Sequence, residues 1–249
     1  MLRHLLRKKK WGKLTKQPKG DRSMIKRLVL LFCCILLVPA IAVSSSQAAD
    51  TNYGDFWVGG QVMGVFTPNR NVDVTFGGLG YTIDNVKTDP AIGAGAIIGY
   101  NFCMPNRQPW ERYFGVALDF QWNQFNQSVG NSDTLDGNQF ALALLARAQY
   151  PFMGDDRFTR GRIVPFIMAG PAVVWSTMNS DIAGIDSRTS TDVGVVAEIG
   201  VEFFIIPQLS IGPSFRYRHV WGPTYDFWGA KVDSNLNQFM VLGRLAYHF

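Results

Sequence analysis

The sequence predicts an all-β fold, in which eight antiparallel strands follow one another as an up-and-down meander and close into a transmembrane barrel. Three observations support this prediction. After Asp50, alternating stretches of 11–15 residues recur between turns rich in Gly, Asn, Asp and Pro. The large apolar side chains of these stretches share one face, and aromatic residues gather at their ends. No segment after Asp50 has apolar residues at sustained helical spacing.

The predicted strands are spread over the whole chain after residue 50. They cover residues 55–66, 91–102, 113–125, 138–152, 163–176, 192–205, 209–221 and 237–249, to within about 2–4 residues at each end. The third alternates most clearly, with Phe114, Val116, Leu118, Phe120 and Trp122 on one face. The fifth is apolar on both faces and contains Pro165 and Pro171, so the sequence does not assign its inward face.

Two architectures accept eight such strands. A soluble sandwich or lipocalin-like barrel turns the large apolar face inward, whereas a transmembrane barrel turns it towards lipid. The predicted strands exceed the roughly 5–6 residues of sandwich strands and reach the roughly 9–11 that cross a bilayer. Their opposite faces carry mainly Gly, Ala, Ser and charged residues, as a narrow interior would. The pattern therefore favours the transmembrane barrel.

Residues 1–49 are predicted to be a signal peptide, followed by a barrel domain over residues 50–249. Lys26 and Arg27 precede an apolar run over residues 28–43, and Ser46-x-Ala48 is a typical cleavage site. Residues 1–23 are interpreted as an overlong start, because Met24 stands just before the basic pair. The alternative is a membrane anchor, but the run is shorter than the roughly 20 residues that span a bilayer.

The net charge of +5 is unevenly distributed. Residues 1–49 contain 11 of the 24 basic residues and one acid, so the remaining 200 residues carry a net charge of −5. Without the leader, nothing in the charge favours a nucleic-acid partner. Cys33 and Cys34 also belong to the leader, which leaves Cys103 without an intrachain disulfide partner.

Connection lengths predict the orientation of the barrel. The connections at one end are long and cover residues 67–90, 126–137, 177–191 and 222–236; those at the other end are shorter and cover 103–112, 153–162 and 206–208. Long loops face outward in transmembrane barrels, and short turns face the periplasm. We expect the longest loop, residues 71–90, to extend strands one and two as a hairpin above the membrane.

The strand phases also predict which polar residues face the lumen. Three acids and four arginines are among them, and such charges need partners when they leave water. Eight strands leave an interior just wide enough for side chains, so we expect a plug of ion pairs; a narrow path for small ions is the alternative. The predicted inward residues are Gln61, Asn101, Asp119, Gln121, Arg147, Gln149, Glu198, Glu202, Arg216, Arg218 and Arg244.

Several motifs resemble those of a known family. The last strand, with Tyr247 and terminal Phe249, is similar to the C-terminal assembly signal of Gram-negative outer-membrane proteins. VPFIMAGPAVVW (164–175) and AEIGVEFFIIPQLSIGPSFRYRH (197–219) resemble strands of opacity-protein-like eight-stranded barrels, although Pro171 and Pro213 stand where such strands often have a small residue. The resemblance implies an outer-membrane location, contact with lipid and lipopolysaccharide, and recognition of the C-terminal strand by the barrel assembly machinery.

His219 is the one residue that the sequence allows us to weigh as catalytic. Its predicted place, on the lipid face near the outer end of strand seven, is similar to that of the histidine in lipid A 3-O-deacylases. Their motif continues with Ser-Asn, whereas Val220, Trp221 and Gly222 follow here. A Ser–His pair requires its serine nucleophile, so we predict an interfacial histidine in an aromatic girdle with Tyr217 and Trp221.

No catalytic, cofactor-binding or metal-binding residues are predicted. His219 and His248 lie on different strands, the loop acids lack the spacing of a calcium loop, and GGLG (77–80) lacks the strand–turn–helix context of a phosphate site. We therefore expect a monomeric, non-enzymatic structural or adhesive surface protein that binds an extracellular ligand through loops 67–90 and 222–236. The alternatives are a lipid A-modifying enzyme and a narrow small-solute pore.

Overall fold

The computed structural model describes residues 55–76, 79–102, 113–129, 133–155, 157–158, 161–180, 188–222, 224–227, 230–233 and 235–249. The predicted signal peptide and Cys103 lie outside these residues. The strands in the described part of the chain are β1 (Asp55–Phe66), β2 (Arg70–Phe76), β3 (Leu79–Thr88), β4 (Ala91–Asn101), β5 (Phe114–Val129), β6 (Asp133–Gln149), β7 (Ile163–Ser180), β8 (Arg188–Ile206), β9 (Leu209–Val220), β10 (Thr224–Phe227), β11 (Ala230–Asp233) and β12 (Leu236–His248).

Eight of these strands form a closed antiparallel barrel, which confirms the predicted fold class. Around the barrel, β1 pairs with β4, β4 with β5, β5 with β6, β6 with β7, β7 with β8, β8 with β9, β9 with β12, and β12 with β1. Every barrel strand therefore has a partner on both sides. Because closure leaves no open edge, all ladder hydrogen bonds can be made within the bilayer. No helix in the described part of the chain is long and apolar enough to cross a membrane.

Four strands extend further at the outer end than predicted: β6 by five residues, and β5, β7 and β8 by four, which is the stated margin of the prediction. β5 continues to Val129, β6 begins at Asp133, and β8 begins at Arg188. Most residues of the predicted loops 126–137 and 177–191 therefore belong to strands. Only residues 130–132 and 181–187 connect the strands. The Asn- and Asp-rich composition of these segments resembles that of loops, but their backbones pair continuously from Phe125 and Gly137 outward to Val129 and Asp133.

The hydrogen-bonded rows climb as they pass around the barrel. Starting at Gly115 on β5, the row passes through Arg147, Met168, Glu198, Arg216, Met240, Val65 and Ala91. In the β4–β5 register Gly93 pairs with Asn123, so Ala91 corresponds to Phe125. The row therefore returns to β5 ten residues further along the strand than Gly115, where it started. This stagger over eight strands corresponds to a strand tilt of roughly 40° and an interior filled by side chains.

Side chains alternate between a buried lumen and an exposed apolar surface. On β5, Phe114, Val116, Leu118 and Phe120 are all 40–45% exposed, whereas Ala117 and Asp119 are almost fully buried. The structure also settles β7, whose inward face the sequence left unassigned. Val164, Phe166, Met168, Ala172 and Val174 face inward, and Ile167 and Val173 face outward. The exposed apolar surface is the one expected to contact lipid.

Two Gly-Pro pairs explain how proline is accommodated in the barrel. Pro171 and Pro213 point outward and keep a partner strand on one side, opposite Val195 and Gly243. On the other side the ladder is interrupted, because residues 144–145 are not paired with 170–171, and residues 201–202 are not paired with 212–213. Because proline has no N–H to donate, such an interruption of the ladder is expected. The preceding glycines allow the strands to approach: a Cβ on Gly170 or Gly212 would collide with the carbonyl oxygen opposite.

Candidate functional site

The lumen contains the polar residues that the sequence placed there. Ten of the eleven predicted inward residues are buried, and Gln149 is half-buried near the periplasmic end. Several other buried polar residues lie outside those eleven, although the alternation of the predicted strands places most of them on the inward face. These are Asn123, Gln139, Ser176, Ser190, Asp192, Ser210, Ser214, Gln238 and His248.

A central ion-pair network, formed by Asp119, Glu198, Arg216 and Arg244, crosses the middle of the lumen. Arg216 binds two carboxylates: its Nη1 lies 2.6 Å from Oδ2 of Asp119, and its Nε donates to Oε2 of Glu198 at 2.9 Å. Arg244 Nη2 contacts the other oxygen of Glu198 at 2.7 Å. These residues come from four different strands. The network therefore ties opposite sides of the barrel together through its interior.

A second charged layer lies closer to the periplasm. Arg147 donates from Nη1 and Nη2 to the two oxygens of Glu202, at 3.0 and 2.7 Å. The guanidinium carbon of Arg147 lies 5.1 Å from the ring centroid of Trp57 and 4.7 Å from that of Phe166. The sequence predicted that inward arginines pair with inward acids, but it did not predict these ring contacts. The contact with Phe166 could not be predicted because the inward face of β7 was unassigned.

Arg218 forms a separate layer towards the outer end, and its partners are neutral. Its guanidinium donates to the side-chain oxygens of Gln238, Gln121, Asn123 and Gln139. No carboxylate forms an ion pair with it in the described part of the chain. The arginine is fully buried, so the four amides replace water as the ligands of its charge.

An apolar cluster, here called the periplasmic stopper, lies at the end of the barrel that is predicted to face the periplasm and is formed by the buried residues Phe158, Val164 and Phe204. Phe158 belongs to the turn between β6 and β7, where Asp155 Oδ1 accepts hydrogen bonds from the backbone N–H groups of Arg157 and Phe158. His248 lies above, 4.7 Å from the ring of Phe204, with its Nε2 2.9 Å from Ser210 Oγ. The sequence predicts only a short connection here, and it does not predict the stopper.

At the end that the connection lengths predict to face outward, two connections pair into a small sheet, which we call the extracellular sheet and define as β2, β3, β10 and β11. Its strand order is β10-β11-β2-β3, and Lys87 and Thr88 of β3 pair with Ser128 and Gln127 of β5. The predicted hairpin in residues 71–90 is confirmed as β2–β3. The predicted loop 222–236 contains a second hairpin, β10–β11, which joins the first through β2. Its four-residue strands are too short for periodicity to reveal.

The lipid-facing surface carries His219 at the predicted place. The residue points outward near the end of β9, between Val195 on β8 and Asn237 on β12. Its ring meets that of Trp221 edge-on, with centroids 5.1 Å apart. Nδ1 lies 2.7 Å from Asn237 Oδ1, which also accepts a hydrogen bond from Tyr217 Oη at 2.7 Å. Neither of the cross-strand neighbours of His219 is a serine.

Among the described residues, no group of three or more His, Cys, Asp or Glu side chains could hold a metal ion. Part of the GGLG segment and the turn with Cys103 fall outside those residues.

Comparisons with known proteins agree with this architecture. Residues 35–249 match the model of a family described as outer membrane protein beta-barrel domain. Among solved structures, OprG of Pseudomonas aeruginosa has a TM-score of 0.58 at 17% identity, over 80% of this chain and 97% of that one. Neisserial surface protein A has a TM-score of 0.45 at 12% identity, over 78% of this chain and 97% of that one. A comparison with curated proteins gives no match. The chain is therefore an outer-membrane protein and belongs to the outer-membrane β-barrel domain family.

Proposed function

We propose that this protein is a non-enzymatic outer-membrane barrel that binds a partner at the cell surface through its extracellular sheet. The observation that carries the proposal is the pairing of β10-β11-β2-β3 and the attachment of β3 to β5. A sheet fixed to a closed barrel presents its outward groups in one arrangement. Binding residues are commonly found on connections that a rigid scaffold positions in this way.

The charge of the outer connections indicates the class of partner. Over residues 67–90, 126–137, 177–191 and 222–236 the sequence has nine acids and four basic residues, a net charge of −5. Charges of one sign repel partners of the same sign and attract opposite ones over about a Debye length. A cationic or neutral surface therefore suits this end of the barrel, and a polyanionic glycan does not.

The filled lumen argues against the small-solute pore as the main function. The central network, the Arg147–Glu202 pair and the periplasmic stopper occupy three successive levels, and each is buried. A solute would have to displace several charge-assisted hydrogen bonds on its way through.

The surroundings of His219 argue against a lipid A-modifying enzyme. A histidine acting as general base needs a nucleophile within about 3 Å. Its ring nitrogen Nδ1 is engaged with the amide oxygen of Asn237 instead.

The proposal is tested by replacing residues 71–88 with a short Gly-Ser linker and measuring adhesion of intact cells to cationic, neutral and heparin-coated surfaces. The matched control replaces residues 181–187, which connect β7 to β8. We expect the first variant to lose adhesion to the cationic or neutral surface, and the control to keep it. Equal adhesion of the first variant and the unaltered protein would refute a role for the sheet, and preferential adhesion to heparin would refute the stated partner class.

A further inference from the structure

A polar cluster interrupts the lipid-facing surface where β9 and β12 approach their outer ends. Tyr217 Oη and His219 Nδ1 both lie 2.7 Å from Oδ1 of Asn237. Asn237 stands directly opposite His219 in the ladder, and Trp221 meets the histidine ring edge-on. We call these four residues, Tyr217, His219, Asn237 and Trp221, the outer polar cluster.

The surroundings of the outer polar cluster are apolar and exposed. Phe239 lies beside Tyr217 with ring centroids 5.4 Å apart, and Val195 faces His219 across the β8–β9 ladder. Phe215, one outward position below Tyr217, is 46% exposed. Polar groups on a lipid-facing surface are unfavourable unless they reach the headgroup level, where Trp and Tyr also concentrate. The cluster is therefore placed at the outer membrane interface.

The internal hydrogen bonds of the cluster leave further donors and acceptors directed outward. One Asn237 oxygen serves both the phenol and the imidazole, so the Asn237 amide nitrogen and His219 Nε2 have no protein partner in the described part of the chain. Acidic side chains are also absent from the described outward positions of β8, β9 and β12, because Asp192, Glu198 and Glu202 all face the lumen. The described lipid-facing positions around the cluster therefore carry no negative charge.

We propose that the outer polar cluster binds the phosphorylated sugar headgroup of lipopolysaccharide in the outer leaflet. The amide and imidazole nitrogens suit phosphate and sugar hydroxyl oxygens, and the half-exposed Trp221 ring offers an apolar face to a sugar ring. The exposed Val195 and Phe239 below can contact the acyl chains of the same molecule. This inference depends on the outer-membrane location and not on the proposed adhesion.

The two histidines of the barrel provide a direct test. His219 and His248 are the only histidines after residue 50, and His248 is buried in the lumen beside Ser210. Protein purified from outer membranes with ¹⁵N-labelled histidine is titrated in detergent with bisphosphorylated lipid A, and the ring signals are followed by NMR. We expect a saturable shift of the His219 signals and unchanged His248 signals. Shifts of equal size with phosphatidylglycerol alone would overturn the assignment to lipopolysaccharide.

Two variants test whether the cluster itself forms the site. Asn237→Leu removes the shared hydrogen-bond partner, and Tyr217→Phe removes one donor with little change of shape. We expect lipid A to bind at least tenfold more weakly to Asn237→Leu, and Tyr217→Phe to weaken binding less. The control is Thr177→Val, in an exposed hydroxyl pair with Thr189 on the lipid-facing side of β7 and β8. Unchanged affinity in both cluster variants, with heat-modifiable gel migration confirming the folded barrel, would refute the site.

Discussion

Arg147 and Glu202 form a two-point ion pair inside the barrel, with Nη–Oε distances of 3.0 and 2.7 Å. Both side chains are buried, and the guanidinium also lies against the rings of Trp57 and Phe166. The pair joins β6 to β8 across β7, which no backbone ladder does. It therefore supports the closed form of the barrel independently of the strand hydrogen bonds.

Removing the charge of Glu202 should destabilise the barrel strongly. Glu202→Gln leaves the buried Arg147 charge uncompensated, which typically costs about 3–5 kcal/mol. Urea unfolding in lipid vesicles, followed by tryptophan fluorescence, measures the change in the free energy of unfolding. The double variant Arg147→Met/Glu202→Met should recover much of the loss, because no lone charge remains. A loss below about 1 kcal/mol for the single variant would contradict the structural role of the pair.

The two neighbouring arginines on β9 should respond differently to replacement by methionine. Arg216→Met removes the ion-pair partner of Asp119 and one of the two arginines paired with Glu198, and we expect a loss of about 3–5 kcal/mol. Arg218→Met leaves only neutral amides without a donor, and its cost should be nearer 1–3 kcal/mol. The same urea titration ranks the two. An equal or larger loss for Arg218→Met would indicate that an acid supports Arg218 after all.

The periplasmic stopper should hold its turn in place. Phe158→Ala removes the ring that packs on Val164 and Phe204, so residues 153–162 should become more accessible. Limited trypsin digestion is a suitable measurement, because Arg157 and Arg162 lie in this turn and are exposed. Cleavage should be faster by about tenfold or more, if roughly 1.4 kcal/mol of local packing is lost. Phe158→Leu serves as the control, and equal cleavage of both variants and the unaltered protein would contradict the packing of Phe158.

The close approach of β6 and β7 should depend on Gly170. A Cβ there would collide with the carbonyl oxygen of Leu144, so Gly170→Ala should cost about 1–3 kcal/mol or slow assembly. Gly80 in the extracellular sheet offers a matched control, since a Cβ there would have nothing within 4 Å. Heat-modifiable gel migration after refolding measures the folded fraction. Equal yields for Gly170→Ala and Gly80→Ala would show that the strands can separate without cost.

The alternation of side chains made the barrel and most of its lumen predictable. Large apolar residues occupy every second position of β5 from Phe114 to Trp122 and most outward positions of β12, so the inward places of Asp119 and Arg244 could be predicted. The same reasoning failed for β7, because both its faces are apolar and only packing against Trp57 and Leu145 selects one.

Features that depend on pairing between distant segments were not predictable. The extracellular sheet requires β11 to pair with β2, which is more than 150 residues away in the sequence. Nothing in the sequence of either hairpin indicates that the two hairpins pair with each other. The periplasmic stopper depends on Phe158 in a polar turn, where a single aromatic residue has no periodic pattern to interpret.

The lumen of the barrel is filled by side chains, and we propose that the outer surface carries the function. Conductance of the purified protein in planar lipid bilayers tests the closed lumen most directly. We expect no large, steady single-channel steps for the unaltered protein, because the central network, the Arg147–Glu202 pair and the periplasmic stopper fill successive levels. Large and stable steps at the same protein density would contradict a closed lumen.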